Sequence, residues 1–322
     1  MRALSMGFLV AMLLAVTTPA GVAQDYPTRP VRILVPYAVG GGSDTAGRLV
    51  MDPLSKQLGV SVYIDNRGGA GGLTGTEAFL AGEPDGYTLL MAAVGPFAII
   101  PAGKSVRYDV ATDFAPLGQI WLSSQALAVR KDLNVKTLAD FIALAKANPG
   151  KLTVGSAGFG TLTHLALELL KREAGIEVTH GPFRSGGALL PALIGGQIDA
   201  GFADTTTFAP QVETGTVIGI AAAGTRRSPA LPNLVTMVES GFPGVIAESW
   251  NGLVVNARTP APVIARLQAA VSAVQKDAGF QESLKKQGLT SGPPGVEAFQ
   301  TLLKTEAGRW RTIVNAAGIK FD

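Results

Sequence analysis

Few residues in this chain have the type and spacing to do chemistry. Only two histidines occur, His164 and His180. His164 lies just past "GSAGFGT" (Gly155 to Thr161), inside a helical pattern. A nucleophile elbow needs G-x-S-x-G after a strand, and "TVGSAG" lacks that spacing. His164 therefore reads better as a residue packed against the neighbouring lobe than as a general base. There is no cysteine, which excludes thiol catalysis, zinc ribbons and disulfides. Two histidines also make a His-rich metal site a poor fit, so neither metal nor cofactor is expected. Asp44 and Asp204 both fall near strand ends. Asp44 could simply cap its helix, and Asp204 could orient a cleft or repel the wrong ligand. Arg48, Arg67 and Arg184 stand beside loops where any could pair with a carboxylate, although a solvated arginine is the commoner outcome.

The glycine-rich loops are more informative. "PYAVGGGSDTAGR" (Pro36 to Arg48) follows the strand-like "VRILV" and leads into a helical stretch. Gly68 to Gly72, Gly155 to Gly160 and Arg184 to Gly187 repeat the arrangement. Each joins the C-terminal end of a strand to the start of a helix, where open α/β sheets bind ligands. Glycine allows positive φ and close approach to backbone amides, and a helix N-terminus adds unpaired N–H groups and partial positive charge. Nucleotide loops are excluded: no Gly-Lys-Ser/Thr triplet occurs, and "GSAGFG" spells G-x-x-G-x-G rather than the dinucleotide fingerprint. One such loop could be a bare turn. Four of them at strand ends argue for a cleft.

Positioning these loops takes two series of β-loop-α units. The first has strands at Val31 to Val35, Val62 to Asp65 and "YTLLMAA", with helices over Asp44 to Leu58 (awkwardly containing Pro53) and "LTGTEAFLAG". The second has strands at "KLTVGS", "EVTHGPF", "DAGFAD" and "VIGIAAAG". Its helices begin at Thr161, a predicted N-cap, and at "GALLPALIGG". Repeated units of this kind build mostly parallel sheets. "FAPLGQIWLSSQALAV" would link the two sheets and "AESWNGLVV" would return the chain, giving two hinged α/β lobes. Helices over Ile264 to Ala278 and Val296 to Ala316 complete the tail.

With 322 residues, 47% hydrophobic and 16% charged, the chain has a globular composition and length for about two domains of roughly 150 residues. The net charge of +3 is scattered, without the basic stripe of a nucleic-acid binder. The N-terminus, "MRALSMGFLVAMLLAVTTPAGVAQ", has a basic start, a short apolar run and small residues before Gln24. It reads as a secretory signal peptide (1–23) cleaved after Ala23, too short in its apolar run for a span of ~20 residues. An exported, periplasmic protein is expected.

Six ordered stretches carry a family resemblance: "YPTRPVRILVPYAVGGGSDTAGR", "DNRGGAGGLTGTEAF", "PDGYTLLMA", "VGSAGFGTLTHLALELLK", "THGPFRSGGALLPALIGGQIDAGFAD" and "RWRTIVNAAGIKFD". From Tyr26 to Asp322 the chain resembles the Bug (TctC-like) receptors of tripartite tricarboxylate transporters. The resemblance implies a periplasmic binding protein of type II topology, with two crossover hinge strands. It implies lobe 1 over 24–123 and 249–322, and lobe 2 over 124–248. It further implies a small organic acid as ligand and membrane transporter subunits, or a sensor protein, as partner. A monomer without nucleic-acid binding or catalysis is expected. In the first lobe it implies ligand contacts from Tyr37, Ala38, Val39, Gly40, Gly41, Ser43 and Asp44, partly through ordered waters, and from Gly69, Ala70, Gly71 and Gly72. In the second lobe it implies contacts from Ser156, Ala157, Gly158, Gly160 and Thr161, then Arg184, Ser185 and Gly186, and finally Asp204. The amides of Gly158 and Gly160 are expected to receive the carboxylate. The sequence departs from the pattern where the usual "PPGG" reads "AVGG", "NRPGAGG" has Gly68 for proline, and "PYKGSGPA" reads "PFRSGGAL". Ligand identity does not carry across those changes. The alternative is an enzyme on a similar two-lobed frame acting on a small carboxylate.

Overall fold

The computed structural model describes residues 26–40 and 42–319. The signal-peptide reading and Gly41 lie outside the described residues.

The chain alternates as the loops require. Strand β1 (Val31–Val35) leads into helix α1 (Gly42–Leu58), then β2 (Val62–Asn66), α2 (Leu73–Leu80) and β3 (Thr88–Ala93). A single π turn (Gly95–Ile99) and a short helix α3 (Ile100–Gly103) come next. The apolar linker is one long strand, β4 (Phe114–Arg130). The second series is α4 (Leu138–Ala147), β5 (Thr153–Ser156), α5 (Leu162–Ala174), β6 (Thr179–Pro182), α6 (Gly186–Ile194), β7 (Ala200–Asp204), α7 (Thr205–Glu213) and β8 (Val217–Ala222). The chain returns through β9 (Glu248–Asn256), α8 (Ala261–Lys276), α9 (Ala278–Lys286), β10 (Thr290–Ser291) and α10 (Val296–Ala316).

The strands run in the order β2-β1-β3-β9-β4-β7-β5-β6, with β8 and β10 also pairing β4. Pairs β1–β2, β1–β3, β5–β6 and β5–β7 are parallel, as crossover helices demand. The long β4 serves both lobes. Residues up to Ser124 pair with β9, and from Gln125 onward the partners are β7 and β8. At the exchange, Gln125 N–H donates to Ala247, Ala247 N–H to Ala223 and Ala223 N–H to Gln125, at 2.7–2.9 Å. No amide of this junction is left unpaired, although the strand changes partners.

Both faces of the sheet are covered. Val50 and Leu54 of α1 and Val271 of α8 pack on Ile33 and Leu253. Leu189 and Leu193 of α6 and Phe208 of α7 cover part of the second lobe. Helix α10 lies across both lobes, with Phe299 and Trp310 fully buried. Its Glu306 accepts from the indole N–H of Trp310 at 2.8 Å, and Arg309 donates to Ile246 O just before the return strand. Among the described residues, no helix is long and apolar enough to cross a membrane.

One predicted boundary moves. The helix expected over Ile264 to Ala278 begins at Ala261 and ends at Lys276, because Asp277 caps a new helix by accepting from Phe280 N–H at 2.7 Å.

Candidate ligand-binding cleft

The strand ends of the two lobes meet around two adjoining cavities. The first, of about 460 Å³, lies against the N-terminal ends of α1 and α7. Its wall is rich in hydroxyl and amide groups, among them Ser43, Thr45, Ser123, Thr206, Ser249 and Asn251. Both helices present first-turn N–H groups without intrahelical partners. The Trp121 indole N–H also has no partner among the described residues, although Trp121 is only 4% exposed. A buried donor in that state is costly unless a ligand or water accepts from it. No lysine, arginine or histidine lines this cavity among the described residues. Its carboxylate is Asp204, which accepts from the Gln125 amide at 2.9 Å. Burial pushes this carboxyl up to about 6 against the lesser pull of that hydrogen bond.

The second cavity, of about 510 Å³, shares Tyr37 and Val94 with the first. It is mostly apolar, lined by Leu73, Ile99 and Ile100 from one lobe and Phe159, Thr161 and Leu162 from the other. Tyr37 stands between the two. Its hydroxyl donates to Gly71 O at 3.1 Å, and burial pushes the phenol up. Gly72 is required beneath it: a Cβ there would lie 3.1 Å from the Tyr37 hydroxyl, at a φ of +98°.

The chain is recognisably related to known proteins. A family model described as the tripartite tricarboxylate transporter family receptor matches residues 46–319. The chain belongs to that family. A UPF0065 protein from the TAR-I ttuE-ttuC' intergenic region of Agrobacterium vitis is 33% identical over 315 residues, covering 96% of this chain and 91% of its own. Among solved structures, R. palustris Rpa4515 with adipate has a TM-score of 0.79 at 31% identity, covering 92% of this chain and 99% of its own. MatC (Rpa3494) from Rhodopseudomonas palustris with bound malate has a TM-score of 0.74 at 30% identity, covering 90% and 100%.

In this member of the receptor family the expected site residues divide. Tyr37, Ser43 and Asp204 line the polar cavity, while Tyr37, Ala70, Gly71, Gly160 and Thr161 line the apolar one. Ala38, Val39 and Gly40 are exposed at the tip of the first loop. Gly69 and Gly72 shape the turn before α2.

Several of the expected residues make hydrogen bonds within the protein. Asp44 is 2% exposed, and it accepts from Gly40 N–H, Arg48 Nε and Asn66 Nδ2 at 2.9–3.1 Å. Burial alone would raise its carboxyl, but these donors outweigh burial and hold it below the ordinary range. Its lone pairs face the loop. The Gly158 and Gly160 amides, expected to receive a carboxylate, donate to Ser156 Oγ and His164 Nδ1 at 3.1 Å. Ala157 N–H donates to Thr163 Oγ1 at 2.8 Å, and Thr161 caps α5. Ser185 caps α6 by accepting from Ala188 N–H, Gly186 packs against Ala203, and Arg184 is exposed.

The residues missed in the sequence include strand residues of β4 and β9, Thr45 and Thr206 in helices, and Phe159 in the loop after β5. Trp121, Ser123 and Asn251 carry no glycine signal. The available clue was the polar run Ser123–Ser124–Gln125 inside the apolar β4. His164 is 5% exposed and stacks on His180, with ring centroids 4.0 Å apart and planes 7° apart. His180 belongs to the same lobe as His164, so the ring packs within its own lobe and not, as expected, against the neighbouring one.

Proposed function

We propose that the chain is an extracytoplasmic receptor that captures a small organic carboxylate between its lobes. The observation that carries this is the polar cavity at the two helix N-termini, with the orphaned Trp121 N–H in its wall. A carboxylate there is held by neutral donors, with the helix ends supplying partial positive charge. The two solved relatives were determined with adipate and with malate, which supports the same ligand class.

In this reading the lobes are residues 24–123 with 249–322, and residues 124–248. The exchange of strand partners at Ser124/Gln125 supports that division. The ligand-contacting set is narrowed to Tyr37, Ser43, Asp204 and their cavity neighbours, while Asp44, Gly158 and Gly160 hold the loops in shape. Closure about the junction excludes water and gives a membrane partner a shape to read. The partner is the transporter's membrane subunit or a sensor. Export follows cleavage after Ala23.

The chain does no chemistry on its ligand. Ser156 Oγ does lie 2.6 Å from His180 Nε2, which resembles a nucleophile and its base. However, Ser156 is fully buried, and among the described residues His180 Nδ1 has no hydrogen-bond partner to orient it.

A thermal-shift screen of small carboxylates, nucleotides and sugar phosphates tests the reading. A ligand at a hundredfold excess over its Kd stabilises the folded state by about 2.7 kcal/mol. At least one organic acid should shift the midpoint without being consumed. A shift by ATP or NAD and by no organic acid sinks the proposal.

A further inference from the structure

We propose that the ligand is a monocarboxylate with an apolar, ring-sized tail, its acid group in the polar cavity and its tail in the cavity under Phe159. The inference rests on the carboxylate-receptor reading and deepens it.

The argument starts from the junction of the cavities. They share Tyr37 and Val94 and so adjoin, and a molecule spanning both would pass Tyr37. The second has the size of a small-molecule site and a wall suited to hydrocarbon. Leu73, Ile99 and Ile100 form one side, and Phe159 the other. Phe159 is 70% exposed. It stands edge-on to His164 at 5.4 Å and to His180 at 4.9 Å, and those two rings are stacked on each other. An aromatic side chain braced on one edge by ring contacts, with most of its surface wet, has apolar area left to cover a partner. Lobe closure on a tail would bury it.

A second carboxylate fits less well. In the polar cavity it would approach Asp204, whose one hydrogen bond in the described structure comes from neutral Gln125. In the apolar cavity it would leave water for a hydrocarbon wall, which strongly disfavours the charged form. Lys104 is the basic residue in that lining among those described, and it is exposed. A dicarboxylate reaching Lys104 is the competing arrangement, and it can be tested directly.

Calorimetric titration of the mature chain with 3-phenylpropionate, hexanoate, adipate and malate decides the matter. Phenylpropionate should bind about tenfold or more tighter than either diacid, with hexanoate between. Phe159→Ser and Ile100→Ser, checked for folding by circular dichroism, should each weaken phenylpropionate about tenfold. Lys104→Met should weaken phenylpropionate far less than either of these. Tighter binding of adipate or malate, lost in Lys104→Met, overturns the tail assignment and leaves the receptor reading standing. No binding of any of the four acids also overturns the tail assignment, and the wider screen then decides the receptor reading separately.

Discussion

Asp44 and Asp204 both stand near a helix start, Asp44 in the first turn of α1 and Asp204 at the end of β7 before α7, yet their environments drive them in opposite directions. Asp44 is buried among an arginine, an amide side chain and a backbone N–H, which hold its carboxyl below the ordinary range. Asp204 is half-buried beside a single amide and is pushed up to about 6. The same residue type near the start of a helix is a brace in one lobe and a poised cavity wall in the other. The number of donors decides which. The loops repeat the contrast. The first is pinned by a charge, the second by neutral hydroxyl and imidazole groups around Ser156, His164 and His180.

Removing the brace should have the largest effect. Asp44→Ala leaves donors from Gly40, Arg48 and Asn66 without their acceptor. It should cost about 3 kcal/mol in urea unfolding at neutral pH. The contribution is present above the unfolded carboxyl value near 3.8 and is lost as pH falls through the lower folded value. A loss below about 1 kcal/mol would mean that the loop is held by its backbone alone.

The fold was legible because its signals are periodic and local. The spacing of Leu162, Leu165, Leu169 and Leu170 and the cap at Thr161 specify α5 without reference to the rest of the chain. The span Val296–Ala316 was likewise readable. Helix α4 was passed over, although Thr137 and Asp140 form a capping box at its start. Helix α7, "TTTFAPQVE", is polar and contains Pro210, so it has no apolar stripe to read. The site was only half legible. Glycine loops mark where a strand ends, but not whether an amide faces the cleft or a neighbouring side chain. For Gly158 and Gly160 the answer depends on Ser156 and on His164, whose ring is placed by stacking on His180, sixteen residues away in sequence. Trp121 and Asn251 belong to β4 and β9, which meet only once the sheet has formed.

Acid should distinguish the loops next. Burial lowers His164 to about 4, helped by His180 and Lys171. Lys171 pairs with Glu168 at 2.7 Å, while Glu168 is 3.8 Å from the His164 ring. His180 is also lowered, mainly by burial. Because the unfolded chain takes up the proton first, stability should fall as pH drops from 6.5 to about 4. The loss should be about 2 kcal/mol. Hydrogen exchange should speed up in residues 156–161 over this window while residues 37–44 hold. Equal loosening of both would erase the distinction.

Asp204→Asn should act in the opposite direction and more weakly. The raised carboxyl binds its proton more tightly when folded, so wild-type stability falls as pH rises from 3.8 to about 6. The amide escapes this loss. The variant should gain about 1 kcal/mol at pH 8 and nothing below pH 4. A gain independent of pH would point to better packing rather than to a charge poised in the cavity.

Arg184→Ala should have the smallest effect. The family resemblance places Arg184 beside the ligand, but the side chain is exposed and makes no hydrogen bond or ion pair among the described residues. An exposed cation gains little from pairing, because water already screens it. The α6 turn next to it is held by Ser185 accepting from Ala188 N–H, not by the guanidinium. Stability should therefore stay within about 0.5 kcal/mol of wild type. Affinity for whichever acid the screen identifies should fall by less than about fivefold, and any fall should vanish as salt is raised toward 1 M, where the Debye length is about 3 Å. A loss of a hundredfold that survives high salt would mean that lobe closure buries Arg184 against the carboxylate. The second lobe would then hold its ligand by a charge, as the first holds its loop, and the contrast between the lobes would be confined to the unliganded state.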